Sequence, residues 1–238
     1  MTVIERRSTP RQRLTARCIF GKVPPTEGGG VAIRAVMFDF GGVISSSPFE
    51  AFAHFEAAHR LPSGFIRTVN GTNPDDNAWA RLERAEVDVE TFGALWSAEA
   101  RTFGHDVDGR RVLEQLAGEI RPRMVEAIRA CRRDYRTACL TNNFVSAEAV
   151  LSGAVAAVYS LFDAVLESRV LGVRKPDPRF YELACEAVGV RPEESVFLDD
   201  LGINLKPARA LGMHTIKVVD PDEAIAELEA LLGLALVE

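Results

Sequence analysis

The chain has 238 residues, 47% hydrophobic and 26% charged, with a formal net charge of −6. This composition excludes a disordered chain and a disulfide-stapled miniprotein, and the acidic balance argues against nucleic acid as a partner. No apolar run approaches the roughly 18 residues that a membrane-spanning helix needs, so no membrane partner is expected either.

Residues 1–30 carry five arginines, a Pro-Pro and a Gly-Gly-Gly finish, with no sustained periodicity, and read as a flexible extension. They lack the apolar stretch of a secretory signal. An Arg-rich transit peptide and a native start at Val31 are the alternatives. The apolar run 31–38 then predicts a buried parallel strand, ending in Asp39-Phe-Gly-Gly. From 48 to 118 strand signals are absent, and apolar residues fall at helical spacing over 48–60, 78–85 and 91–103, so this stretch reads as a helical insert. After it the pattern alternates: helix 122–133, strand 137–141, strand within 162–167, helix 177–188, strand 195–199, helix 204–211, strand 215–219 and helix 221–232. Pro122 suits a first helical turn and Gly189 a helix end. Such alternation predicts an α/β fold, a Rossmann-like parallel sheet with helices on both faces. The expected organisation is an extension (1–30), a core from 31–47 and 119–238, and a helical cap (48–118).

Cys18, Cys131, Cys139 and Cys185 lack metal-ligand spacing and read as reduced thiols of a cytoplasmic protein. Among 28 basic residues only Lys22, Lys175, Lys206 and Lys217 are lysines, so a lysine at a motif position stands out. Lys175 does so, in Arg-Lys-Pro-Asp-Pro. Asp39 follows the first strand, Thr141-Asn142-Asn143 the second, and Asp199-Asp200 the fourth. Open α/β sheets bind ligands at these strand ends. Singly, each of these residues suits a turn, a cap or a solvated loop. Together, three carboxylates, a lysine and a hydroxyl suit a divalent cation and a phosphate. Carboxylate-bound Mg²⁺ offsets the repulsion between an attacking aspartate and phosphate. The lysine adds positive charge, and hydroxyl and backbone N–H groups bind the remaining oxygens. Hydrolysis then divides into formation and breakdown of a phosphoaspartate.

The order hhhDxGG, hhTNN, K-P-D-P and hhhhDD resembles the haloacid dehalogenase (HAD) superfamily, subfamily I with a C1-type helical cap, over about residues 31–238. Phe197–Met213 and Trp79–Glu86 are similar to the N-terminal phosphatase-like domain of soluble epoxide hydrolases. The chain ends at Glu238, before any epoxide-opening half, so epoxide hydrolysis is not expected. The resemblance implies Asp39 as nucleophile and metal ligand, the backbone carbonyl of Gly41 as a further ligand, and Asp199 and Asp200 as the acidic metal motif, with Asp199 the first choice for direct coordination. It implies Thr141 and the Asn142 amide as phosphate donors, and Lys175 as the charge that stabilises the nucleophile. Asn204 reads as a cap of the following helix, with support of the acidic loop as the alternative.

The sequence departs from the family's phosphatase pattern at one place. In DxD the second aspartate is the acid and base, and here that position is Gly41. The expectation is a Mg²⁺-dependent phosphatase of small phosphate esters, monomeric or homodimeric, acting on good leaving groups such as sugar 1-phosphates or acyl phosphates. The alternatives are a 2-haloacid dehalogenase, whose halide needs no proton, and a non-enzymatic phosphate-binding or dimerisation module. Glu50, His54 and His59 are candidate replacement acids against a plain reading as a solvated helix face. Arg81 and Arg84 are candidates for a substrate charge against the same reading. Trp79 and Trp96 read as cap core, with substrate lining as the alternative, and His105 and His214 as surface or packing residues.

Overall fold

The computed structural model describes residues 31–116, 118–143 and 153–237. The expected extension 1–30, with Cys18 and Lys22, lies outside the described residues. Strand β1 spans Ala35–Phe38, four residues with no exposed surface. Five helices follow: α1 (Pro48–Ala58), α2 (Phe65–Gly71), α3 (Ala78–Glu83), α4 (Val89–Thr102) and α5 (Gly109–Leu113). The rest alternates as α6 (Pro122–Asp134), β2 (Arg136–Thr141), α7 (Ala154–Tyr159), β3 (Ala164–Glu167), α8 (Ser168–Leu171), α9 (Pro178–Val188), β4 (Ser195–Asp199), α10 (Gly202–Ala210), β5 (His214–Lys217) and α11 (Pro221–Leu232).

Among the described residues the sheet has five strands, ordered β3-β2-β1-β4-β5, and every pairing is parallel. Side chains alternate across a strand, so one strand feeds two cores. Val36 and Phe38 pack with Met124, Ile128 and Cys131 of α6 and Leu228 of α11. Ala35 and Met37 pack on the other face with Phe180 and Ala184 of α9 and Leu205 of α10. The helical segment has its own core of Phe52, Phe65, Ile66, Phe92, Trp96 and Val112. Each such side chain is worth about 1.5–3 kcal/mol when fully buried, so this segment carries its own packing energy. The two chain passages that join it to the sheet are held together. Ser45 bridges Ile120, Ser46 N donates to Glu119 O at 2.8 Å, and Arg121 N donates to Ile44 O at 2.8 Å.

Local chemistry explains the boundaries. Pro48, Pro122, Pro178 and Pro221 open their helices, where a missing N–H does no harm. Helix α4 starts at Val89, two residues before the expected start, because Asp88 caps it through Thr91 N. Helix α10 likewise starts at Gly202, and β5 runs His214–Lys217, one residue earlier than the reading at its start and two at its end. Helices α2, α5, α7 and α8 were not foreseen; at four to seven residues they are too short for a helical period to show.

Cys131, Cys139 and Cys185 are buried and unpaired. Burial pushes the Cys131 thiol up to about 12 and the Cys185 thiol up to about 11, which makes both poor nucleophiles. No helix of the described residues is long and apolar enough to cross a membrane.

Candidate active site

Strand register builds the centre of the site. Phe38 pairs with Leu198, and Asp39 N donates to Leu198 O at 2.9 Å, so Asp39 and Asp199 leave neighbouring strands side by side. Strands lie about 4.8 Å apart, which alone brings the two carboxylates within reach of one cation. Asp200 follows directly, and oxygens of Asp39, Asp199 and Asp200 lie within 4.8 Å of one another. After Asp39 the chain makes a tight turn over Phe40–Ile44. Within it Gly42 has φ +79°, and a Cβ there would collide with the Asp200 carboxylate. Gly42 is therefore required by both backbone and space. Gly41 differs from it: its φ of −72° suits any residue, and no atom lies within 4 Å of where its Cβ would be.

Lys175 is 1% exposed. Its Nζ lies 2.8 Å from Asp39 Oδ1 and 2.8 Å from Asp199 Oδ2. Asp39 Oδ1 also accepts Phe40 N–H at 2.6 Å. Both of these contacts fall on one oxygen, Oδ1. Asp199 accepts Leu201 N–H at 2.8 Å and the Asn204 amide at 3.0 and 3.1 Å. Asn204 thus supports the acidic loop and does not cap α10. The capping expectation is corrected because the helix begins two residues earlier, leaving Asn204 inside its first turn. The Tyr181 hydroxyl donates to Asn204 O at 2.7 Å and fixes that turn from below.

Thr141 is buried at the end of β2. Asn142 follows, and its side chain brackets the backbone of Lys175, accepting from Lys175 N at 2.9 Å and donating to Lys175 O at 3.0 Å. Arg121 donates to Gly42 O at 2.7 Å, holding the turn from the return passage of the helical segment.

Electrostatics give the site its character. Asp39 and Asp199 contact Lys175 directly and Asp200 lies beside them, so three carboxyl groups gather around one ammonium. Burial pushes the Asp39 carboxyl well above the usual aspartate value; Lys175 opposes this, while Asp199 and Asp200 add to it. Asp200 is pushed up to about 6, first by burial and then by Asp199. Burial opposes the charge on Lys175, but Asp199 and Asp39 outweigh it and raise its pKa. Three hard carboxylate oxygens gathered at one point are the donor set that Mg²⁺ takes, so the residues present fit that ion.

The expected residues Asp39, Gly41, Thr141, Asn142, Lys175, Asp199 and Asp200 thus come to one rim of the sheet. The candidate replacement acids do not join them. Glu50, His54 and His59 are exposed, and the His59 ring stacks on Phe55. Arg84 binds Glu86 and the Asp75 carbonyl, and Arg81 lies 3.8 Å from the same Glu86. Trp96 is fully buried, while Trp79 is half-buried and donates to Glu83. His105 packs edge-on against Phe65, and His214 is exposed at the start of β5. Glu83, Arg174 and Arg121 were not singled out by motif reasoning for the roles they take here.

A parallel sheet with helices on both faces gathers at one rim a buried acidic trio that could hold a cation, with a lysine beside it. The chain belongs to the haloacid dehalogenase-like hydrolase family, which it matches over residues 33–212. It is 40% identical over 220 residues to acyl-CoA dehydrogenase family member 10 of Mus musculus, matching 89% of this chain and 20% of that protein. It is 30% identical over 223 residues to bifunctional epoxide hydrolase 2 of Sus scrofa, matching 87% and 40%. The chain therefore spans less than half the length of these two relatives. It is also 30% identical over 207 residues to a phosphatase of Mycobacterium tuberculosis, matching 79% and 88%. Its fold is similar to that of a HAD-like family hydrolase from Porphyromonas gingivalis, with a TM-score of 0.62, 25% identity, and 84% and 98% of the two chains covered.

Proposed function

We propose that this chain is a Mg²⁺-dependent phosphatase of small phosphorylated metabolites, working through a phosphoaspartate on Asp39. The observation that carries the reading is the acidic trio with Lys175 set between Asp39 and Asp199. The phosphatase of Mycobacterium tuberculosis, of which the chain covers 88%, supports the same chemistry. Asp39, Asp199, Asp200 and the Gly41 carbonyl would hold the ion. When bound, it supplies the positive charge that lets a phosphate approach carboxylates.

Lys175 and Phe40 N hold Asp39 by Oδ1, which leaves Oδ2 to attack. Oδ2 forms a bond to phosphorus as the bond from phosphorus to the leaving oxygen breaks. Thr141 and the backbone N–H of Asn142 bind the phosphate oxygens. Water then attacks phosphorus, the bond to Oδ2 breaks, and Asp39 is restored with release of phosphate. Gly41 offers no proton to the leaving oxygen, so solvent must supply it. General acid help is worth about 10²–10⁴ in rate, and its loss favours substrates with good leaving groups, such as acyl phosphates and sugar 1-phosphates. A haloacid is a weaker reading, because displacing a halide needs no divalent cation, and a cation-free acidic trio would repel the substrate's carboxylate.

The test is a panel of phosphate esters, acyl phosphates and 2-chloropropionate, with Mg²⁺ or EDTA, on wild type and Asp39→Asn. The expected result is Mg²⁺-dependent phosphate release, reduced by at least about 10³-fold in Asp39→Asn. EDTA-insensitive chloride release, or full phosphatase activity in Asp39→Asn, would overturn the reading.

A further inference from the structure

Glu83 ends α3 in the helical segment, yet its carboxylate is buried against the sheet domain. One oxygen accepts the Trp79 indole N–H at 3.0 Å, from the same helix. The other accepts Arg174 at 2.6 Å and the Asn142 amide at 3.3 Å. Both of these partners adjoin Lys175. Arg174 precedes it in the chain, and Asn142 grips both of its peptide groups. The Ser168 hydroxyl closes the junction by donating to Glu83 O at 2.6 Å. Adjacent cations thus face two ways: Arg174 reaches out to the helical segment and Lys175 reaches in to Asp39 and Asp199.

Packing alone does not account for a charged group here. A buried ion pair loses solvation that its own attraction barely repays, and an apolar pair of the same volume is often as stable. The carboxylate does what an apolar side chain cannot: it binds, through directed hydrogen bonds, the two residues that fix the Lys175 backbone.

We infer that Glu83 is a positioning residue that ties the helical segment to the Lys175 loop, so that seating of this segment on the rim aims the Lys175 ammonium and the Asn142 backbone at Asp39. The effect on turnover rests on the phosphatase reading; the effect on the Lys175 loop does not.

The test uses the full chain with Glu83→Gln and, separately, Arg174→Met. Glutamine keeps the size, leaves Arg174 without a counter-charge and sets an N–H group against donors. With acetyl phosphate and saturating Mg²⁺, kcat should fall about 10–100-fold, with KM changed less than about threefold. Hydrogen exchange at the Lys175 amide, which Asn142 accepts, should accelerate by about tenfold or more. Glu83→Asp should restore part of both. Arg174→Met should reproduce both losses and decides the matter if Glu83→Gln does not fold. A folded Glu83→Gln with wild-type kcat and wild-type exchange at Lys175 would overturn the proposal. If the wild type hydrolyses no phosphate ester, the phosphatase reading fails. Exchange at Lys175 still decides the positioning role: acceleration in the variants supports it, and unchanged exchange overturns it.

Discussion

In the helical segment, buried Glu56 accepts the backbone N–H groups of Gly64 and Ile66, each at 2.8 Å. Asn77 caps α3 through Ala80 N and donates to Asn70 O and Thr72 O, while Ser97 links Gly93 O to Gly109 N. These side chains close backbone groups that helix ends leave open. At the sheet rim the pattern differs. Buried Asp39 and Asp199 also accept nearby N–H groups, but both share the Lys175 ammonium, charge against charge, and the acids outnumber that cation. The difference teaches how to tell two uses of buried polarity apart. Polar groups spent on nearby backbone serve the fold, whereas an unbalanced charge cluster held by register is an arrangement that the fold tolerates for chemistry.

This contrast can be broken by experiment. Lys175→Met removes the only cation that contacts the trio among the described residues and leaves Asp39 and Asp199 uncompensated. Without divalent ions it should destabilise the protein by about 3–5 kcal/mol, and Mg²⁺ should recover part of the loss. Denaturant unfolding with and without Mg²⁺ measures both, and an unchanged midpoint would show that the cluster is not charged as described. Gly41→Asp enters open space at an ordinary φ. It should raise turnover of alkyl phosphates, which are poor leaving groups, by about 10²-fold, with stability changed by less than about 1 kcal/mol. A folded variant with no gain would remove the missing-acid argument.

Smaller effects sharpen the comparison. Glu56→Ala strands one buried and one half-buried N–H donor and should lower stability by about 1–3 kcal/mol, while kcat stays at the wild-type value. A fall in kcat would place this internal cap in the chemistry and dissolve the distinction. The last prediction concerns pH. The folded value of Asp200, about 6, lies above the ordinary aspartate value. Its contribution to ion-free stability is therefore full below about pH 4 and lost as pH rises through about 6. Mg²⁺ needs the carboxylate, so its affinity should rise over the same window, by about tenfold between pH 5 and pH 7. Calorimetric titration of wild type and Asp200→Asn checks this; a dependence that persists in the variant belongs to another group.

The chemistry-bearing residues were legible because each closes a short apolar run or sits beside a turn-forming Gly or Pro. Strands β1, β2 and β4 announce their ends, and Asp39, Thr141 and Asp199 stand there. Helix starts were less legible. A period shows only over several turns, so the sequence predicts the start of α10 two residues late and Asn204 as its cap, where it binds Asp199 instead.

What the sequence by itself determined was the alternation of strands and helices, the acidic trio and the one lysine that belongs with it, since hydrophobic runs and local residue types suffice for these. What only the tertiary structure decided was how those groups are held. Gly41 and Gly42 are neighbours of one type, yet one faces open space and the other lies against Asp200. Glu83 meets Asn142 across 59 positions and Arg174 across 91. Such contacts depend on how one packed unit folds back onto another, and no local preference of the chain encodes that geometry.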